Sequence, residues 1–500
     1  MDAFAGLMTG FAGALTPENL YFAFIGCLLG TLVGVLPGVG SAAGMAILIP
    51  VTFNLPAEGA IIMLSALFYG SYYGGTITTV LLGIPGESAS AVTLLDGYQM
   101  AKQGRGGAAL SVAAIGSFIG GTFAACGLVV AAPVMVQYAL KFGPTEFFSL
   151  MIVATALLMT FAGTSMLKSL IMGMFGFSLA TVGMDPAIGI PRFTFGRVEL
   201  MDGISFVPVV MGLFGLSEIF ENLENPARKV FQTSMRSLVL SKQDAKDCAG
   251  PVARGTILGF FLGLIPGTTQ ALASFLSYTM EVKVSKSPQR FGHGAIEGVA
   301  GPETANNAHA NSALIPLFTL GIPGSPSIAI LLGAFMMNGL APGPLLFANS
   351  PKLAWTVVAS FFIGNLMLLI LNLPAIPLWV TILRIPYSIL NALILMFMLI
   401  GAYSLSNSVF DIGTLIAFGV LGYIFRKAGF PLAPAALTLI LGPLLEKKMR
   451  LALELSGGDL SVFYATPVSG TLLGLAAAIV IWPVYQFLAS GYRQRQAILK

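Results

Sequence analysis

Charged residues are scarce in this chain of 500 residues, at only 9%, while 56% of the residues are hydrophobic and the mean hydropathy is +0.88. Soluble domains carry roughly 25% charged residues. The composition therefore excludes a soluble globular protein and predicts an all-α polytopic membrane protein. With roughly 20 apolar residues needed for each span, we expect about 10 to 13 helical elements that enter the bilayer, some of them re-entrant.

Cysteine and histidine are also rare, with three and two residues in the whole chain. Cys27 and Cys126 lie in apolar runs and Cys248 lies in a polar segment, so no disulfide framework is expected. His293 and His309 have no histidine or cysteine partner at metal-ligand spacing. The chain also lacks paired intramembrane aspartates and a nucleophile next to a base. We therefore expect no metal site, no cofactor and no enzymatic activity.

Basic residues are unevenly distributed, since no lysine or arginine precedes Lys102. They concentrate between residues 224 and 254 and return in the tail with Arg493, Arg495 and Lys500. Because cytoplasmic loops carry the excess of Lys and Arg, the central segment and the tail are expected inside and the N-terminus outside. The basic residues do not cluster with aromatic residues, so no nucleic-acid partner is expected.

A glycine-proline signature is the most informative feature that the chain does contain. Its four copies are GVLPG (34–38), LGIPG (82–86), GLIPG (263–267) and LGIPG (320–324). Proline removes a backbone donor and glycine weakens a helix, so each copy predicts a helix broken inside the membrane. The breaks are predicted at Pro37, Pro85, Pro266 and Pro323. Broken helices at matching places in two halves indicate the binding site of a transporter.

The motifs divide the chain into two related halves. The predicted organisation is an N-terminal interfacial segment (1–19), a first repeat (20–223), a cytoplasmic linker (224–251), a second repeat (252–490) and a cytoplasmic tail (491–500). The first motif follows an uncharged flank and the third follows a basic flank, so the repeats are expected to be inverted across the membrane. A parallel repeat is the alternative.

Apolar runs between the breaks give a rough map of the helices. A half-helix is predicted from Ser88 to Met100 after the second break. In the second half, helices are predicted near 254–265, 268–282 and 312–322, which leaves the polar stretch between 283 and 311 outside any helix.

Small and polar residues follow each break. They are Gly38, Gly40 and Ser41, then Gly86, Glu87, Ser88 and Ser90, then Gly267, Thr268, Thr269 and Gln270, and finally Gly324 and Ser325. A helix that restarts inside the membrane presents free N–H groups and the positive end of its dipole, which bind an anion without any basic residue. Carbonyl groups freed by the breaks would suit Na⁺. The alternative is that Ser and Thr only cap the restarted helices.

The polar stretch 301–312, GPETANNAHANS, leads directly into the fourth break. Glu303, Asn306 and Asn307 could supply donors and acceptors to a carboxylate ligand and its accompanying ion. The alternative is an ordinary polar loop that caps the next helix. Coupling to protons would require a titratable group, for which Glu87 and Glu303 are the candidates.

These motifs together resemble the large membrane subunit of the tripartite tricarboxylate transporter family. The resemblance covers essentially the whole chain, and its most specific parts are GVLPGVGSAAG (34–44), YGSYYGGTITTVLLGIPGESAS (69–90), GMDP (183–186), PRFTFG (191–196), GLIPG (263–267) and GPETANNAHANSALIPLFTLGIPGS (301–325).

The resemblance implies a secondary active transporter of the bacterial inner membrane, for which the charge distribution above predicts a periplasmic N-terminus and a cytoplasmic C-terminus. It implies two partners, a small membrane subunit (TctB-like) and a periplasmic solute-binding protein (TctC-like) that delivers a di- or tricarboxylate such as citrate. Uptake would be symport driven by a Na⁺ or H⁺ gradient, with alternating access, for which analogy favours an elevator over rocking. A stand-alone organic-anion carrier or channel is the alternative.

Overall fold

The fold is almost entirely helical in the described part of the chain. The computed structural model describes residues 3–36, 39–162, 165–185, 188–224, 238–382 and 387–481. Six helices in these ranges are long and apolar enough to cross a membrane, and shorter apolar helices accompany them. The prediction of an all-α polytopic membrane protein is therefore confirmed. Pro37, Gly38 and the tail 491–500 lie outside the described residues, as do residues 225–237 of the predicted linker.

The chain forms two compact units, each built from a segment of the first half and a segment of the second half. Unit one contains residues 1–139 and 205–425, and unit two contains residues 140–204 and 426–500. All four glycine-proline motifs belong to unit one. The inverted relation of the two halves stays a prediction.

The helices of unit one begin and end as follows. The first are α1 (Ala3–Ala14), α2 (Pro17–Val35), α3 (Gly40–Thr52), α4 (Ala57–Leu82), α5 (Leu94–Lys102) and α6 (Gly106–Ala139). The chain then enters unit two, which contains α7 (Pro144–Phe161) and α8 (Met166–Ala180). It returns to unit one with α9 (Phe206–Val210) and α10 (Ser217–Glu224). After these come α11 (Lys242–Gly263), α12 (Gln270–Val284), α13 (Glu297–Ser312), α14 (Leu314–Leu320), α15 (Pro326–Met337), α16 (Pro344–Asn349), α17 (Pro351–Asn372), α18 (Ile376–Ile382), α19 (Tyr387–Ser406) and α20 (Val409–Lys427).

Each described break separates two elements as the motif predicts. Helix α2 ends at Val35 before the first motif, α4 ends before the second, α11 before the third and α14 before the fourth. Gly83 and Gly321 follow α4 and α14 in the left-handed conformation, with φ of 70° and 74°. Because this conformation is costly for any residue with a Cβ, the two glycines end their helices, each two residues ahead of its proline.

Helix α2 packs on α4 through a row of glycines spaced four residues apart, Gly26, Gly30 and Gly34. A Cβ at Gly30 would lie 2.6 Å from the carbonyl oxygen of Leu67, so only glycine allows the two backbones to come this close.

The second half contains the same row on α11, at Gly255, Gly259 and Gly263, each 229 residues after its counterpart on α2. These glycines face α13, and a Cβ at Gly259 would lie 2.8 Å from the Cα of Ala305. The GVLPG and GLIPG motifs are separated by the same number of residues. Helix α13 therefore takes the place in the second half that α4 takes in the first.

Three predicted element boundaries are wrong. Helix α13 covers Glu297–Ser312, where the sequence predicts no helix, because its polar side chains are buried inside the protein rather than exposed in a loop. Helix α11 begins at Lys242, well before residue 254 and within the predicted linker, because Ser241 and Asp244 form a capping box.

The third wrong boundary is the half-helix predicted from Ser88. The segment instead forms a short 3₁₀ turn at Ser88–Ser90, and α5 begins only at Leu94. The hydroxyl of Ser90 lies 2.8 Å from that of Thr79, and Gly86 N–H donates to the Thr79 hydroxyl. These bonds hold the chain against α4 and prevent a helix from starting there.

The N-terminal segment forms α1, which packs on α17. Gly10 contacts the backbone of Trp355, and Gly13 contacts Thr356. Thr16 caps the following helix, α2, by accepting from Asn19 N–H. The predicted position of this segment at the membrane interface stays a prediction.

In unit two, the described elements after α8 are a two-stranded antiparallel hairpin, β1 (Gly183–Met184) with β2 (Pro191–Arg192), then α21 (Ala433–Leu455), α22 (Val462–Ala465) and the helix Pro467–Ile481. The hairpin brings Asp185 and Arg192 together with α21. Arg192 pairs with Glu446 at 2.8 Å, and Arg450 pairs with both Glu446 and the buried Asp185. Two motifs of the sequence, GMDP and PRFTFG, thus share one ion-pair network.

This network predicts an acid-sensitive contribution to stability. The hydrogen bond from Arg192 holds the pKa of Glu446 below its usual value against the opposing effect of burial, and Arg450 adds to the lowering. A carboxyl whose pKa is lower in the folded state stabilises the fold at neutral pH, and the contribution is lost as the pH falls through that pKa. We expect Glu446→Gln to cost about 1–3 kcal/mol at pH 7 and less at about pH 3.5, which is below the ordinary pKa of glutamate.

The check is thermal unfolding of the purified protein in detergent at both pH values. Glu454→Gln is the control, since Glu454 is an exposed carboxylate on the same helix. An equal loss of stability at both pH values in Glu446→Gln would contradict the assignment.

Candidate functional site

The described parts of all four breaks lie close together. The backbone N–H of Ser41, in the first turn of α3, donates to Oε1 of Glu87 after the second break. The hydroxyl of Ser41 lies 2.9 Å from the hydroxyl of Ser327, which belongs to the first turn of α15 after the fourth break. Gly267 N–H donates at 3.2 Å to the carbonyl of Gly324, which joins the third break to the fourth.

Helix α13 supplies the polar side of this region through a buried carboxylate. Glu303 is fully buried, and its two oxygens accept from Thr76 on α4 at 2.6 Å and from Thr93 ahead of α5 at 2.5 Å. The side chain thus connects one element of the second half to two elements around the second break. A loop residue could not be buried in this way without losing its backbone hydrogen bonds.

Helix α12 runs antiparallel to α13 beside this carboxylate. Thr268 lies 2.9 Å from Nε2 of His309, and the hydroxyl of Ser274 donates at 3.3 Å to the carbonyl of Pro302. This register places Gln270, the first residue of α12, opposite the turn of α13 that carries Asn306.

Several buried polar atoms on these two helices have no hydrogen-bond partner within the described ranges. They include Nε2 of Gln270, both amide atoms of Asn306, Oδ1 of Asn307 and Nδ1 of His309, although the Asn306 amide also lies near enough to Glu303 for a weak interaction. Gln270 is 7% exposed and Asn306 is fully buried. Because an unsatisfied buried polar group costs about 1–3 kcal/mol, such a concentration is typical of a place that binds a polar ligand.

The predicted site residues differ in whether their side chains still have hydrogen-bonding groups available for a ligand. Thr269 and Ser325 cap α12 and α15, by accepting from Leu272 and Ile328 N–H, so the capping alternative holds for these two side chains. The hydroxyl of Thr268 bonds to backbone carbonyls as well as to His309, and Ser88 is exposed. The capacity to bind a ligand therefore lies with amide side chains rather than with hydroxyls.

Glu87 occupies a different place from the one that the sequence predicts. No helix restarts at Ser88, so the argument from a helix dipole does not apply to the second break. The Glu87 side chain instead lies at the N-terminus of α3. Gly86 is confined by close packing, since a Cβ there would lie 2.6 Å from the Cα of Gly75.

Asp96 is a buried residue that no pattern in the sequence singles out. One of its oxygens accepts from the N–H groups of Gly294 and Ala295, both at 2.8 Å, and the other accepts from the hydroxyl of Tyr278 at 2.9 Å. It therefore holds the chain that enters α13 against α5 and α12. Its partners lie almost two hundred residues away, so no local pattern could have revealed it.

Broken helices that converge on buried polar groups within an apolar helical protein are the arrangement of membrane transport proteins. The comparisons with known proteins agree with this class. Residues 20–437 match the model of the tripartite tricarboxylate transporter TctA family. The chain therefore belongs to this family, and it is a multi-pass membrane protein and a permease component of a tripartite tricarboxylate transporter.

Two curated relatives come from Agrobacterium vitis. The chain is 48% identical over 482 residues to the "Uncharacterized 52.8 kDa protein in TAR-I ttuC' 3'region", covering 96% of this chain and 96% of the relative. It is 50% identical over 223 residues to the "Uncharacterized protein in TAR-II ttuC' 3'region", covering 45% of this chain and 92% of the relative. No solved structure matches.

Proposed function

We propose that the protein imports a di- or tricarboxylate across the bacterial inner membrane, and that the acid binds where the four breaks meet. The observation that carries this proposal is the buried start of α12, where the amide nitrogen of Gln270 has no hydrogen-bond partner in the described ranges and the amide of Asn306 has only a weak interaction with Glu303. The first turn of a helix offers free N–H groups and a positive dipole end, and amide donors beside it complete a site for a carboxylate.

The driving force in this proposal is a gradient of Na⁺ or H⁺. Carbonyl groups freed at the breaks are suitable oxygen ligands for Na⁺. Glu303, and Glu87 beside Ser41, are the carboxyl groups that could carry a proton instead. Replacing a Na⁺ gradient by a pH gradient in the same vesicles distinguishes the two ions.

The proposed mechanism is alternating access by an elevator movement, in which the part that carries the breaks moves against a scaffold of the remaining helices. A small membrane subunit of the TctB type and a periplasmic binding protein of the TctC type would complete the system. The binding protein would capture the acid and deliver it to the site, with the N-terminus of this chain in the periplasm and the C-terminus in the cytoplasm.

Uptake by proteoliposomes tests the proposal. Vesicles that contain this chain and the small subunit are expected to accumulate a labelled carboxylate only when a cation gradient and the loaded binding protein are both supplied. Accumulation without the binding protein would indicate a stand-alone carrier, and equilibration without any gradient would indicate a channel.

The amide side chains give a sharper prediction. We expect Asn306→Ala to reduce uptake at least about tenfold, because the removed amide can exchange one or two buried hydrogen bonds with the bound acid. Binding of the acid to the purified protein should weaken by a similar factor.

Asn349→Ala is the matched control, since Asn349 is an exposed asparagine at the end of α16. Unchanged uptake in Asn306→Ala would remove this residue from the site and favour a purely structural role for α13.

A further inference from the structure

His309 on α13 is a buried histidine whose two ring nitrogens have different surroundings. The side chain is 1% exposed, and its Nε2 lies 2.9 Å from the hydroxyl of Thr268, which follows the third break. The other nitrogen, Nδ1, has no hydrogen-bond partner within the ranges that the structure describes. Because a buried polar atom without a partner is costly, this nitrogen points to a bound group that contacts it.

The contacts of Thr268 determine which ring nitrogen carries the hydrogen. Its hydroxyl lies 2.6 Å from the carbonyl oxygen of Leu262 and 2.9 Å from that of Ile265, and a carbonyl oxygen can only accept. The single hydroxyl hydrogen is therefore directed at these carbonyls, and the Thr268 oxygen accepts from Nε2–H of His309. A second hydrogen on Nδ1 would leave a buried positive charge without an acceptor, so the ring is neutral and Nδ1 keeps its lone pair.

The lone pair of Nδ1 restricts the chemistry of the group that binds it. An ionised carboxylate has only acceptor oxygens, so it cannot form a hydrogen bond with this nitrogen. The group of an ionised polycarboxylate that can donate to Nδ1 is a hydroxyl. The orphaned nitrogen therefore favours a substrate that carries a hydroxyl group beside its carboxylates.

His309 also lies at the proposed site. It follows Asn306 by three residues on α13, a spacing that places two side chains on the same face of a helix, with about 5–6 Å between their Cβ atoms. Thr268 precedes Gln270 by two residues, and the amide nitrogen of Gln270 has no partner in the described part of the chain. The region after the third break thus offers an amide donor and an imidazole acceptor, the two kinds of group that a hydroxy acid requires.

We propose that His309 is a specificity-determining residue that accepts a hydrogen bond from a hydroxyl group of the substrate. This inference rests on the proposed function and deepens it, since it assigns the substrate to the hydroxy-substituted di- or tricarboxylates. The same acid without its hydroxyl binds more weakly, because Nδ1 is then left buried without a donor.

The test compares dissociation constants for the purified full-length protein within two pairs of acids, malate with succinate and citrate with propane-1,2,3-tricarboxylate. The members of each pair differ only in a hydroxyl group. In the wild type, the hydroxy acid of at least one pair is expected to bind at least about tenfold more tightly than its counterpart.

Two variants of His309 separate its ring nitrogens. His309→Gln keeps a donor near the position of Nε2 but has no acceptor at the position of Nδ1, so the preference for the hydroxy acid should fall to less than about twofold. His309→Asn places an acceptor oxygen at the position of Nδ1 and should retain most of the preference. A purely structural role of the ring would not distinguish the two variants in this way.

His293→Gln is the matched control, because His293 is the other histidine of the chain and is exposed. This variant should keep the preference of the wild type. It also leaves His309 as the single histidine, so the two ring nitrogens can be observed by ¹⁵N NMR if the purification tag contains no histidine. We expect a protonated Nε2 and an unprotonated Nδ1, whose resonance shifts when the hydroxy acid is added and much less when its counterpart is added.

Several results would overturn the inference. They are constants within twofold of each other in both pairs for the wild type, an unchanged preference in folded His309→Gln, loss of the preference in both folded His309 variants, or a hydrogen on Nδ1 in the free protein. Failure of the wild-type protein to bind any of the four acids would instead count against the proposed function, so the two failures are distinguishable.

Discussion

Gly259→Ala is expected to destabilise the protein by about 1–3 kcal/mol or more and to abolish uptake. The added methyl group would contact the carbonyl oxygen of Ala305 and lie 2.8 Å from its Cα. Both are backbone atoms, so no side-chain rotation can relieve the overlap and α13 has to move away from α11. Because α13 carries Glu303 and Asn306, the movement also displaces the proposed site.

The measurement is thermal unfolding in detergent together with uptake by proteoliposomes. Gly413→Ala is the matched control, since Gly413 lies within α20 and a Cβ there would meet no atom within 4 Å. Alanine is a better helix former than glycine by up to about 1 kcal/mol, so this variant should be as stable as the wild type or more stable. Wild-type behaviour of Gly259→Ala would show that the close contact between α11 and α13 is wrong.

Replacing Glu303 by alanine should have an effect of similar size for a different reason. The hydroxyls of Thr76 and Thr93 both donate to this carboxylate in a fully buried environment. Without it Thr93 loses this acceptor and Thr76 keeps only the carbonyl of Tyr72, at about 1–3 kcal/mol for each group. We therefore expect Glu303→Ala to unfold at a clearly lower temperature and to transport nothing.

The variant Glu303→Gln separates the structural role of this side chain from any role of its negative charge in transport. The amide keeps the shape and one acceptor oxygen, so most of the stability should return, while uptake should remain at least about tenfold below the wild type if the negative charge is required. Glu58→Ala is the control, because Glu58 is a partly exposed carboxylate in the first turn of α4. Full uptake in Glu303→Gln would show that Glu303 connects helices without taking part in the transport cycle.

The sequence was a good guide to the breaks because glycine and proline act on the backbone locally. Helices α4 and α14 end just before their LGIPG prolines, and α11 ends just before Pro266. The membrane class followed from composition, which is a property of the whole chain. Neither prediction required knowledge of which segments contact each other.

Helix α13 was missed because its composition is typical of a loop in a soluble protein. Pro302 and three asparagines weaken any prediction of a helix from propensity alone. This helix is stabilised by its burial between α11 and α6, which is a tertiary effect that local propensity does not predict. The glycines at 255, 259 and 263 were the available signal, because they repeat the spacing on α2 and imply a partner helix in the second half.

The position of Glu87 could not be predicted for a similar reason. Its side chain accepts a hydrogen bond from Ser41 N–H at the start of α3, and no helix begins directly after it. This contact depends on how the first and second breaks pack against each other. Local pattern placed Glu87 among the candidate binding residues, but it could not show that the side chain contacts the N-terminus of α3.

The contacts of Glu303 and Asp96 also affect how the protein is made. Glu303 in the second half accepts hydrogen bonds from Thr76 and Thr93 in the first half. Asp96 in the first half accepts hydrogen bonds from Gly294 and Ala295 in the second half. In both cases the partners are about two hundred residues apart in the sequence. The first half leaves the ribosome before these partners exist, so Thr93 and Asp96 can form these bonds only after the second half is made, whereas the hydroxyl of Thr76 can meanwhile donate to the carbonyl of Tyr72 in its own helix. Insertion of the second half then supplies the missing hydrogen-bond partners to both halves.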